Sequence, residues 1–155
     1  MTTGSDPGRL GGRVLGVDHG ERRIGLALGD PSGVLATPYD TIDANGGLTT
    51  VARVCRETGA TRIVVGLPLR LDAGEGPAAE RARAFAEALR KRVAVPVELW
   101  DERFSTVTAE KALIEGGTRR ARRRQLVDRL AAQILLQHYL DSRAARADLD
   151  AGTPP

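Results

Sequence analysis

Four acids stand out by where they sit. Asp18 falls inside the apolar run VLGVDHGERRIGLALGD, Asp101 and Glu102 follow the run VELW, and Asp128 lies in the helical pattern QLVDRLAAQILLQHYL. A carboxylate at the edge of a core is costly unless a cation, a set of backbone N–H groups or a metal ion compensates it. Carboxylates gathered at one point also repel one another, and hard divalent cations with oxygen ligands relieve that repulsion. The lone cysteine, Cys55, rules out an intrachain disulfide and a multi-cysteine zinc site, and the two histidines do not cluster. Mg²⁺ or Mn²⁺ is therefore the expected cofactor. Two such ions about 3.5–4 Å apart can activate a water and stabilise the leaving oxygen in phosphodiester cleavage. Taken singly, Asp101 and Asp128 read as solvated caps or salt-bridge partners; as a set with Asp18 and Glu102 they read as a metal site.

Positive charge stands beside each of these acids. Arg22 and Arg23 follow Asp18, Arg103 follows Glu102, and Arg119, Arg120, Arg122, Arg123 and Arg124 crowd a glycine-led segment, expected as a loop, before Asp128. A run of like charges is ordinarily just solvated. Here it adjoins the candidate metal site, where a phosphate backbone would have to lie and counterion release would make binding salt-sensitive. Gly66-Leu67-Pro68 reads equally as ordinary loop chemistry or as a path for a nucleic-acid backbone, with Arg70 and Arg81 on phosphate. Lys91 and Lys111 are the only lysines. Arginine suits bidentate phosphate contacts, although a GC-rich genome also favours it. The sequence pI of about 9.6 accompanies a formal charge of only +3, so where the charge sits matters more than its sum. Aromatic residues make up 3% of the chain, which argues against binding single strands by rows of stacked bases. His19 titrates near neutrality and invites a general-base role, but a solvent-facing histidine at a strand end is the ordinary reading.

The elements that must position these residues follow from periodicity. Residues 14–18 read as a strand, the alternation at Ile24, Leu26 and Leu28 as a second, and residues 34–39 as a third after the turn Asp30-Pro31-Ser32-Gly33. Leu48, Val51, Ala52 and Cys55 fall at helical spacing, with Asn45 as N-cap and Gly59 as stop. Cys55 on that stripe reads as a buried thiol. Residues 62–66 form a β-branched strand, and Pro77 opens a helix with the apolar face Ala82, Phe85, Ala86, Leu89 and Val93. A fifth strand spans 95–100, a helix runs from Ser105 or Thr106 to Gly116-Gly117, and the last helix covers about 125–140. In that helix Val127, Leu130, Ala131 and Ile134 make the expected buried stripe, with Asp128 on its rim beside Ala132 and Leu135, where small alanines let backbone approach closely.

The order β-β-β-α-β-α-β-α-α implies a ribonuclease-H-like mixed five-stranded sheet with helices on both faces. A dinucleotide fold would need a helix directly after the first strand. In the ribonuclease-H-like layout the first strand is central and the final helix crosses near its end, so the acids would converge. The 155 residues suffice for one domain, placed at 13–142, with residues 1–12 and 143–155 expected as flexible tails. No apolar run approaches a membrane span and the N-terminus lacks a signal-peptide core, so a cytoplasmic protein without membrane contact is expected.

From about Arg13 to Leu140 the chain resembles the YqgF (RuvX-like) family of Holliday junction resolvases and pre-16S rRNA nucleases. The carriers are VDHGERRIGLALGD, VVGLPLRLDAGEGPAAERARAFAEAL, WDERFST and VDRLAAQILLQHYL, in that order. The first alone also opens the phosphate loop of actin-like ATPases; the four together are specific. The resemblance implies a nuclease with Asp18, Glu102 and Asp128 as metal-binding catalytic acids and Asp101 as a less central neighbour. It implies a nucleic-acid partner, structured RNA first and a four-way DNA junction second, and a monomer or homodimer, since junction resolution needs two symmetric cuts. Ala73 departs from a glycine common in the family's loop after Leu69.

Overall fold

Alternating β-branched residues, leucines and glycines make Val14–His19 the first strand, β1, and a turn closed by the Gly20 N–H on the Arg23 carbonyl (2.9 Å) returns it as β2, Arg23–Gly29. The computed structural model describes residues 12–69, 72, 74–102 and 120–152. The third strand, β3, is Ala36–Asp43 rather than residues 34–39. The Asp30 carboxylate accepts the N–H groups of Val34 and Leu35 at 2.8 and 2.9 Å, which holds both residues in the loop. Beyond Tyr39 the strand continues because Thr41, Ile42 and Asp43 pair with Gly25, Ile24 and Arg23, and a bulge opposite Leu26 and Ala27 absorbs the extra residue.

Helix α1 is Gly47–Thr58, and its N-cap is Gly46 at φ 76°, not Asn45. Only a glycine enters that left-handed turn freely; the Asn45 N–H is taken by the Asp43 carboxylate at 2.9 Å. Gly59, at φ 70°, stops the helix as expected. Strand β4 is Arg62–Leu67, and helix α2, Pro77–Arg90, opens on its proline. Strand β5 is Val97–Asp101. It starts later than residue 95 because Pro96 has no N–H for the ladder and offers only its carbonyl, to the Ile63 N–H at 2.9 Å. The helix expected over 105–117 lies outside the described residues, as do residues 1–11, 153–155 and Ala73.

The last helix, α3, runs Arg120–Gly152, longer at both ends than the expected 125–140. No glycine or proline interrupts the chain from Arg120 to Ala151, and alanine and arginine are strong helix formers. Residues 120–124, expected as a loop, and 143–152, expected as tail, are therefore helical.

The sheet has the order β3-β2-β1-β4-β5, with β1 central, parallel to β4 and antiparallel to β2. Strand alternation divides the core in two. Leu15, Val17, Ile63 and Val65 face α1 and α2, joined by Val51, Cys55, Ala82 and Leu89. Val14, Ala27, Ala36 and Val64 face α3, joined by Ala132, Leu136, Tyr139 and Leu140. The buried stripe of α3 is Ala131, Ala132, Leu135, Leu136, Tyr139 and Leu140, while Leu130 and Ile134 are only half-buried. Ala131 is common to the expected and the observed stripe, the Val127 side chain lies outside the described residues, and the buried face is turned toward Ala132 and Leu135 because small residues allow the closest approach there. A Cβ on Gly16 would sit 2.9 Å from Leu136 Cβ and 3.4 Å from the Ala132 carbonyl. Leu140 meets Gly29, which lies beside Val14, so α3 runs antiparallel to β1. Its N-terminal turns then approach the Asp18 end, and Asp128 falls one turn beyond Ala132 on the same helical face.

Gly16→Val should wedge α3 off the sheet. We expect a loss of about 1–3 kcal/mol in urea unfolding; an unchanged midpoint would show that the helix does not depend on this approach.

Candidate active site

The α3 face of the sheet carries residues of one parity: Val14, Gly16 and Asp18 on β1, Val64 and Gly66 on β4, and Trp100 on β5. The Glu102 N–H bonds the Leu67 carbonyl at 3.2 Å, which prolongs the β4–β5 ladder by one residue. Alternation therefore turns Glu102 onto the α3 face and Asp101 away from it. Glu102 is 8% exposed, whereas Asp101 is exposed. Of the two neighbouring acids, Glu102 is thus the one brought to the face that carries Asp18.

Glu102 fills space that Gly66 leaves open. A Cβ on Gly66 would stand 2.2 Å from Glu102 Oε2 and 3.1 Å from Leu135 Cδ2. Gly66 is thus a site residue that loop chemistry did not identify; the signal was a lone glycine in a β-branched strand, which marks a close approach. The Asp18 and Glu102 carboxyl groups lie close enough to interact directly, while Glu102 Oε2 is buried without a hydrogen-bond partner. Burial, then the charge of Asp18, then direct interaction with its carboxyl and the charge of Asp101, hold the Glu102 carboxyl well above the ordinary carboxylate range. A buried oxygen without a donor, beside a second carboxylate in an all-oxygen setting, suits a hard divalent cation. Among the described residues no three potential ligands gather closely enough to hold a metal. The Asp128 backbone lies in α3, and its side chain is outside the described residues.

His19 belongs to the opposite parity and the opposite face. It is half-buried rather than fully solvent-facing: its ring lies 4.6 Å from that of Phe85, and its Nδ1 is buried without a hydrogen-bond partner. The alternation that exposes Asp18 to α3 turns His19 toward α2. Burial first, and then the positive charge of Arg81, lower its pKa. Cys55 is buried, its Sγ 3.7 Å from the Ala60 carbonyl.

Of the candidate phosphate-binding residues, Arg22 and Arg23 line an open hollow of about 600 Å³ with Thr41, Asp43 and Asn45, at the same end of the sheet as Asp18. Arg81 is exposed on α2 near His19. Arg120, Arg122, Arg123 and Arg124 occupy the first turns of α3, with side chains outside the described residues. Arg70, Arg103 and Arg119 lie outside them altogether.

The profile of a family described as "RuvX: Holliday junction resolvase" matches residues 12–142. A protein of Pelotomaculum thermopropionicum named "Putative pre-16S rRNA nuclease" is 47% identical over 135 residues, 84% of this chain and 88% of its own. One of Mycobacteroides abscessus with the same name is 42% identical over 154 residues, 96% of this chain and 91% of its own. Among solved structures, Thermus thermophilus RuvC in complex with Holliday junction substrate aligns with a TM-score of 0.52 at 18% identity, over 86% of this chain and 96% of that one. This is a likeness of fold.

The raised Glu102 pKa has a consequence for stability. The unfolded chain releases this proton near its ordinary value of 4.5, and the folded chain only at higher pH, so the metal-free fold loses stability as pH rises between the two. In EDTA, Glu102→Gln should raise Tm at pH 8 and change it little at pH 4, by about 2–4 °C for each kcal/mol relieved. Equal melting of the two proteins at pH 8 would contradict the burial of this carboxyl.

Proposed function

Because this chain belongs to the RuvX family, we propose that it is a metal-dependent nuclease hydrolysing phosphodiester bonds in 5′-end processing of the small-subunit rRNA precursor. The observation that supports this reading best is the Asp18–Glu102 pair, packed on Gly66 with one carboxylate oxygen unpartnered. Asp18, Glu102 and Asp128 would hold Mg²⁺ or Mn²⁺, with Asp101 outside the ligand set. The ion would supply the Lewis acidity for phosphodiester hydrolysis.

The protein's own part is positional. The β1–β2 ladder fixes the Asp18 backbone against Gly25, and the β4–β5 ladder fixes Glu102. Leu135 packs against the Gly66 side of the pair and keeps bulk water from that flank. Arg22, Arg23 and Arg81 stand at the same end of the sheet, and the phosphate contacts of this reading are these three with Arg70, Arg103, Arg119, Arg120, Arg122, Arg123 and Arg124. Such contacts orient a substrate and carry little sequence information. The family description favours a second reading, resolution of four-way DNA junctions by a dimer.

Labelled precursor rRNA and a four-way junction, each incubated with Mg²⁺, Mn²⁺ or EDTA, separate these readings. We expect metal-dependent cleavage of the RNA. Asp18→Asn and Glu102→Gln should abolish it while binding persists, and Asp101→Asn should retain most of it. A folded Asp18→Asn protein that cuts at the wild-type rate would overturn the metal assignment, and cleavage of the junction alone would favour the second reading. Replacing Arg119, Arg120 and Arg122 with Gln should weaken binding to unrelated substrates. It should also flatten the log–log salt dependence by about 0.7–0.9 for each phosphate no longer neutralised. An unchanged slope would make these arginines a solvated surface.

A further inference from the structure

Two glutamines of α3 bond the open edge of the sheet. Ala36, the first residue of the edge strand β3, donates its N–H to Gln137 Oε1 at 2.9 Å, and its carbonyl accepts from Gln133 Nε2 at 3.2 Å. Gln137 Nε2 also donates to the Val34 carbonyl at 2.8 Å and to Asp141 Oδ1 at 3.0 Å. These side chains stand where the next strand's main chain would be. Most of the remaining contact between α3 and the sheet is made by small or aliphatic groups, Gly16, Ala27, Gly29, Ala36 and Ala132 among them, with Tyr139 set edge-on to Trp100 at 5.3 Å on β5. Apolar burial is non-directional and fixes the separation of two smooth surfaces better than their axial alignment. Hydrogen bonds, with narrow limits of length and angle, fix the alignment.

We propose that Gln133 and Gln137 are positioning residues that set the axial register of α3 on the sheet and so place Asp128 beside Asp18 and Glu102. The proposal rests on the reading of Asp128 as a metal ligand. Gln133 and Gln137 follow Asp128 by 5 and 9 residues, about 7.5 and 13.5 Å along a helix. The bonds lie at the Val14 end of β1, because Ala36 pairs with Gly29 and Gly29 lies beside Val14. They anchor one end of a rigid rod whose other end carries the acid. A misplacement of 1 Å in such a constellation costs up to about 100-fold in rate.

The test compares wild type, Gln133→Leu/Gln137→Leu, Gln133→Leu, Gln133→Lys and Asp128→Asn. Each is assayed for cooperative thermal unfolding, Mn²⁺ affinity by titration, and kcat and KM on precursor rRNA. Leucine keeps the helix and its bulk but removes the bonds. We expect the folded double variant to lose about 10–100-fold in kcat and several-fold in Mn²⁺ affinity, with KM changed less than about threefold. Gln133→Lys, which restores a donor to the Ala36 carbonyl, should recover most of what Gln133→Leu loses. A double variant that melts earlier but keeps wild-type kcat and Mn²⁺ affinity would overturn the proposal and leave the nuclease reading standing. Wild-type protein that neither binds Mn²⁺ nor cuts would overturn the reading beneath it, and so would an Asp128→Asn protein with wild-type affinity and rate.

Discussion

The contact between Asp18 and Glu102 organises the rest of the molecule. A buried carboxylate does not take a second one as its neighbour by default; Glu102 loses hydration, and the charge of the half-buried Asp18 adds to its cost of ionisation. This fold accepts that cost by removing a side chain, at Gly66, and by ending two strands at the same level of one sheet. The helix that covers the pair is admitted by a second missing side chain, at Gly16. A larger residue at either position would keep the sheet and lose the arrangement upon it.

Strand alternation decides which residues take part. Asp18 and His19 are adjacent in sequence and lie on opposite faces, one toward α3 and the other stacked on Phe85. Asp101 and Glu102 divide in the same way. The ladder bond from Glu102 to Leu67 matters because it carries the alternation past the end of β5. The identity of the buried acid is thus a matter of backbone pairing.

Much of this was legible in the sequence and some was not, for identifiable reasons. The strand that holds Asp18, the helix opening at Pro77 and the stop at Gly59 all carry strong local signals, and the order of elements implied the mixed sheet that the structure has. The start of β3 was misread because Val34 and Leu35 look like strand residues, while the Asp30 carboxylate that captures their N–H groups acts across the turn. The face of α3 is legible in part: Ala131 and the close approach at Ala132 are in the sequence pattern, whereas the partner that admits the helix, Gly16, lies on a different element and carries no hydropathy signal. From sequence Gly66 reads equally as loop chemistry or as a path for a nucleic-acid backbone, because its neighbour in space, Glu102, lies 36 residues away.

The bulge in β3 bears on how copies of this chain meet one another. An exposed strand edge is a template on which a second chain can pair, and continued pairing leads to fibres. Here the edge strand carries Pro38, which offers no N–H, and Tyr39 falls in the bulge that breaks the spacing of the remaining groups. The glutamines of α3 occupy its first residue, Ala36. Cross-strand recruitment at this margin is therefore disfavoured from Ala36 through the bulge at Tyr39. The exposed Val34, Leu35 and Tyr39 side chains can remain in water without nucleating an endless sheet.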